Sequence, residues 1–102
     1  MSMYLIFDGG EPEDFCSNKG YGDFCRWAES LGKGYPSIRG LRKTGGCDDV
    51  HGLTIELELA SHRYPPMDTP TTSTLLNLIE SLKGSSDSKS VIVSNGIVSE
   101  GD

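Results

Sequence analysis

An α+β fold, built as a two-layer sandwich with both helices on one face of an antiparallel sheet, is the fold class that the sequence predicts. Three observations predict it. Leu53, Ile55, Leu57 and Leu59 alternate with Thr54, Glu56 and Glu58, which is the period of a strand buried on one face only. Phe24, Trp27, Ala28 and Leu31 recur at helical spacing, as do Leu75, Leu78, Ile79 and Leu82. A sheet with one polar face and two amphipathic helices is what a single covering layer requires.

The elements follow in order along the chain. Met3 to Asp8 is a short apolar run closed by Asp-Gly-Gly, which reads as a buried strand and its turn. An acidic loop containing Pro12 leads to a first helix over about Gly20 to Leu31, stopped at Gly32. Lys33 to His51 is too long for a structureless loop, so a strand is placed at Ser37 to Lys43, paired with Leu53 to Ala60 through the Gly-rich stretch Thr44 to Gly52. Thr69-Pro70 announces the second helix, with Thr69 as cap, and Gly84 ends it. Val91 to Val93 forms a last strand, which Asn95-Gly96 either terminates or turns onto Ile97-Val98. The resulting order, β-α-β-β-α-β, is ferredoxin-like, with the first and third strands central and the second and fourth at the edges. The alternative is a three-stranded β-α-β-α-β sheet with an irregular crossover. Residues 1–98 are expected to form one domain and residues 99–102 a tail.

Leu, Ile, Val and Phe supply 23 of the 102 residues, just above the roughly 20% below which chains tend to stay disordered. The formal charge of -6 disfavours general binding to a phosphate backbone. That charge is segregated: Asp8, Glu11, Glu13 and Asp14 crowd one segment, while Lys33, Arg39, Arg42 and Lys43 occupy another without an acid. No stretch approaches a membrane span, the start lacks a signal-peptide pattern, and Cys16, Cys25 and Cys47 form no paired framework. A cytoplasmic location and free thiols are the expectation.

Two sets of side chains are candidates for chemistry. Asp8, Glu11, Glu13 and Asp14, with Glu56 and Glu58 on the uncovered face of the sheet, compose an acidic surface suited to a basic protein partner, and Tyr64 in the rigid Tyr-Pro-Pro-Met loop offers an aromatic anchor. The acidic loop lacks the ligand spacing of a calcium-binding EF-hand. Cys47, Asp49 and His51, with Asp48 between and His62 further on, form the alternative: a metal- or anion-binding enzyme or ligand-binding domain, which a homodimer could complete. Arg42-Lys43-Thr44-Gly45-Gly46 has the wrong order and context for a phosphate loop, and glutamates stand where an RNA-binding sheet needs aromatic rings. The expectation is therefore a small acidic binding module, of inhibitor, immunity or regulatory type, with no catalytic residue assigned and no cofactor implied.

Overall fold

The computed structural model describes residues 2–95 of the chain. The elements are β1 (Ser2–Phe7), β2 (Glu13–Ser17), α1 (Asn18–Ser30), α2 (Pro36–Thr44), β3 (Gly46–Cys47), α3 (Val50–Arg63), α4 (Thr69–Gly84) and β4 (Val91–Ser94). Over the described residues the fold is α+β, with four helices and a four-stranded antiparallel sheet in the order β2-β1-β4-β3. Its element order differs from both β-α-β-β-α-β and β-α-β-α-β. Two segments expected as strands are helices, and β2 and β3 arise where loops were expected. The expected turn onto Ile97-Val98 and the expected tail lie outside the described residues.

The correction at residues 53–60 has a clear physical cause. Val50, Leu53, Leu57 and Ala60 are fully buried, and their spacing is that of one helix face. The alternation of Leu53 with Ile55, Leu57 and Leu59 splits across two faces, because Ile55 and Leu59 point to solvent, 44% and 60% exposed. Asp49 caps this helix by accepting from the Gly52 N–H at 2.9 Å. Residues 37–43 are likewise helical: Pro36 occupies the first turn, Ile38 and Leu41 are buried three apart, and Gly45 (φ 79) supplies a left-handed stop whose N–H reaches the Leu41 carbonyl.

β1 sits at the centre, as expected, but its inner neighbour is β4 rather than the segment at 53–60. Leu5 lies opposite Val93 and Phe7 opposite Val91, so these four side chains line the covered face. Asp8 (φ 53) and Gly9 (φ 72) then close the turn, with Gly10 N–H bonded to the Phe7 carbonyl at 2.9 Å. β2 returns along β1 with an irregularity in register: Met3 faces Cys16 and Tyr4 faces Asp14, leaving Phe15 as the extra residue. This bulge lets two consecutive residues, Phe15 and Cys16, both pack on the core.

The two helices with the clearest stripes form near the predicted positions. α1 begins two residues early because Ser17 caps it, accepting from Gly20 N–H at 3.0 Å, and Gly32 (φ 72) follows its end. In α4 the cap is Asp68 rather than Thr69. Leu75, Leu78, Ile79 and Leu82 are all buried in the same cluster as Phe24 and Leu5. Among the described residues no helix is long and apolar enough to cross a membrane.

Candidate functional site

The acidic residues expected to form one surface divide into two groups. Three of them are consumed by the fold. Asp8 Oδ1 accepts from the Lys89 and Ser90 N–H groups at 2.9 and 3.0 Å, tying the β1–β2 turn to the segment before β4. Those backbone donors, Ser90 first, hold the Asp8 carboxyl below its ordinary value of 3.8. Glu56 is on α3, not on a sheet face, and its carboxylate accepts from Ser37 N–H and Ile38 N–H at the start of α2. Glu58, also on α3, pairs with Lys83 of α4.

Glu11, Glu13 and Asp14 form the second group. All three are exposed, and none joins an ion pair among the described residues. Glu13 and Asp14 lie on β2, which has a strand neighbour on one side only. Beside them the bulge opens a hollow of about 260 Å³ lined by Ser2, Met3, Asp14, Phe15 and Cys16. Acidic side chains on an edge strand oppose indiscriminate pairing with other sheets, yet they also select for a strand of opposite charge.

Tyr64 is half exposed and stands apart from that edge, after α3. Its carbonyl accepts from Trp27 Nε1 of α1 at 2.8 Å, which fixes the α3–α4 loop against α1. A groove of about 360 Å³ opens there, with Asp23, Arg26, Trp27, Met67 and Asp68 among its walls. Sequence reasoning picked out Tyr64 but missed Asp23. That carboxylate is 7% exposed and bridges Lys19, at 3.2 Å, and Arg26. An aspartate with basic residues four before and three after it on one helix was the available signal. Asp68 is occupied as the α4 cap, its carboxyl lowered chiefly by the Thr71 hydroxyl and N–H.

Cys47, Asp49 and His51 lie at the β3–α3 junction without forming a common centre. Cys47 Sγ accepts from the Asp49 N–H at 3.4 Å, Asp49 turns its carboxylate to Gly52, and His51 is exposed. Among the described residues no three His, Cys, Asp or Glu side chains are grouped to hold a metal ion. All three cysteines are free and partly buried. Burial pushes the Cys16 thiol up to about 11 and raises Cys25 and Cys47 as well, so each is protonated near neutrality and lacks the thiolate a nucleophile needs.

Among the described residues, the candidate side chains lie on exposed surfaces of defined charge and do not converge on one centre. Comparison of the chain with protein-family models, with curated proteins and with solved structures finds no match in any of the three.

Proposed function

We propose that the protein is a binding module that takes a basic, extended segment of a partner protein along the outer edge of β2. The observation that carries this reading is the coincidence of three exposed carboxylates, Glu11, Glu13 and Asp14, which join no ion pair among the described residues, with an edge strand and the hollow at its bulge. An added strand would supply backbone partners to the edge, and one of its lysine or arginine side chains would enter the hollow beside the Asp14 carboxylate. Charge complementarity of this kind speeds encounter and selects partners more than it adds affinity. Asp8, Glu56 and Glu58 are no part of the surface, since backbone amides and Lys83 already engage them.

The test uses amide chemical-shift mapping with a synthetic peptide of alternating lysine and threonine, beside the same peptide with glutamine for lysine. Shifts are expected at residues 11–17 with the basic peptide alone, fading as salt is raised. Neutralising the site with Glu11→Gln, Glu13→Gln and Asp14→Asn together is expected to remove them. Shifts that survive this triple substitution, or that map elsewhere, would overturn the reading.

A further inference from the structure

The face of α3 turned away from the core carries a pattern that the edge-binding function does not use. At about 100° per residue, His51, Ile55, Leu59 and His62 fall within an arc of about 80°, opposite Val50, Leu53, Leu57 and Ala60. All four are exposed, and Ile55 and Leu59 are two of the larger apolar side chains on the surface. The ends of this ridge differ in sign: Asp48 and Asp49 stand at the start of the helix, His62 and Arg63 in its last turn.

We propose that this ridge is the interface of a homodimer in which α3 of one copy packs antiparallel on α3 of another. An interface with a two-fold axis must be self-complementary, each residue meeting a partner that it meets in return. The ridge satisfies that condition about one point. The midpoint of Ile55 and Leu59 is residue 57, that of His51 and His62 falls between 56 and 57, and that of Asp49 and Arg63 is 56. An axis there puts each Ile55 against the other copy's Leu59, and the acidic start of each helix against the basic end of its mate. Antiparallel helix dipoles favour the same arrangement. Parallel pairing would set acid on acid and base on base.

A 14-residue helix is about 21 Å long, so one helix-on-helix contact buries less than the roughly 1,200 Å² of stable interfaces. The dimer is accordingly weak and transient, populated only at high protein concentration. Sedimentation of the full chain from about 10 µM to about 1 mM is expected to show reversible monomer–dimer exchange. Leu59→Glu is expected to abolish it; because Leu59 is exposed, the variant should keep the parent's thermal unfolding profile, which is read in parallel. Asp48→Lys or Arg63→Glu alone should weaken association roughly three- to tenfold, and the two together should restore it. Asp48 is used because Asp49 holds the helix cap. A chain that stays monomeric at 1 mM, association indifferent to Leu59→Glu, or failure of the double charge exchange to restore it would each overturn the proposal.

Discussion

Removal of the Glu56 carboxylate should loosen α2 far more than its place on a different helix suggests. α2 has no side-chain cap of its own: Tyr35 makes no such bond, and Pro36 has no N–H to satisfy. The next two donors, Ser37 N–H and Ile38 N–H, both go to Glu56, at 2.9 and 3.1 Å from Oε1, with a further contact from Ser37 to Oε2 at 3.1 Å. A hydrogen bond to a charged group contributes about 1.5–3 kcal/mol, and a carboxylate at a helix start gains a further fraction of a kcal/mol. Two such bonds share one partly buried carboxylate here, and water can reach the freed amides, so the low end applies. Glu56→Ala is expected to cost about 2 kcal/mol, which for a chain of this size lowers Tm by about 10 °C. Glu56→Gln keeps an acceptor oxygen without the charge and should cost about 1 kcal/mol. Urea unfolding measures both, and amide exchange at Ser37 and Ile38 should accelerate in the alanine variant. Glu58→Ala, which removes only an ion pair between partly exposed groups, is the control and should cost less than about 1 kcal/mol. A Glu56→Ala loss no larger than that of Glu58→Ala would refute the capping argument.

Two glycines of α1 should respond oppositely to alanine. A Cβ at Gly20 would stand 2.7 Å from Thr74 Oγ1, itself buried, so Gly20→Ala is expected to destabilise by about 1–2 kcal/mol, while Gly22, with nothing within 4 Å, should gain about 0.4–1 kcal/mol. Urea unfolding of the two variants checks this. At alkaline pH the thiols set the trend: burial lifts Cys16 to about 11 from 9.0 and raises Cys25, Cys47 and the Tyr21 hydroxyl, so the folded state holds these protons longer than the unfolded chain does. Their contribution is complete below about pH 9 and declines as pH rises toward 11. Tm measured from pH 8 to 11 should fall, and iodoacetamide should alkylate the folded chain slowly at neutral pH.

The parts of the fold legible in the sequence are those where one periodicity stands alone. Phe24 to Leu31 and Leu75 to Leu82 carry the helical period, and the short apolar runs of β1 and β4 are bounded by turn signals, which favours strands, although Ile92 of β4 faces outward. α3 was misread because its leucine-rich stretch satisfies two periods at once. Leu53, Ile55, Leu57 and Leu59 alternate, while Val50, Leu53, Leu57 and Ala60 are helically spaced. Helix-forming Glu, Leu and Ala, with Asp49 as a cap, tip the balance once tertiary packing takes one set and leaves Ile55 and Leu59 outside. At α2 the punctuation is present in Pro36 and Gly45, but Gly40 in the middle lowers the helix propensity of a short segment. β2 carried no local signal, since Glu13, Asp14 and Ser17 are poor strand formers. Its formation rests on the Asp8-Gly9 turn, on pairing with β1, and on burial of Phe15. Displacing Glu56 and Glu58 from a sheet to a helix is what separated the acidic residues that build the fold from those that stay exposed on the β2 edge.

The segregation of charge along the sequence acquires a spatial meaning in the sheet order. β1 is paired on both sides, so the acidic segment that follows it must return along the outer edge as β2. The basic segment forms α2, which runs through Gly45 directly into β3, the opposite edge. The acidic segment thereby lies along one edge of the sheet, while the strand at the other edge, β3, stands between the basic helix α2 and Asp48 and Asp49. Pairing of β2 with β2 would bring the Glu13 and Asp14 carboxylates of two copies onto one short ladder, and the bulge at Phe15 further breaks the register that such pairing needs. The self-association proposed through α3, where both signs and an apolar centre occur on one ridge, avoids that repulsion. α3 packs on α2 and α4 rather than on β2, so the contact proposed for a second copy and the edge proposed for a basic partner do not compete for the same residues. A dimer through α3 leaves two acidic edges open at once, and a partner carrying two basic segments would then bind with the added strength of an intramolecular second contact.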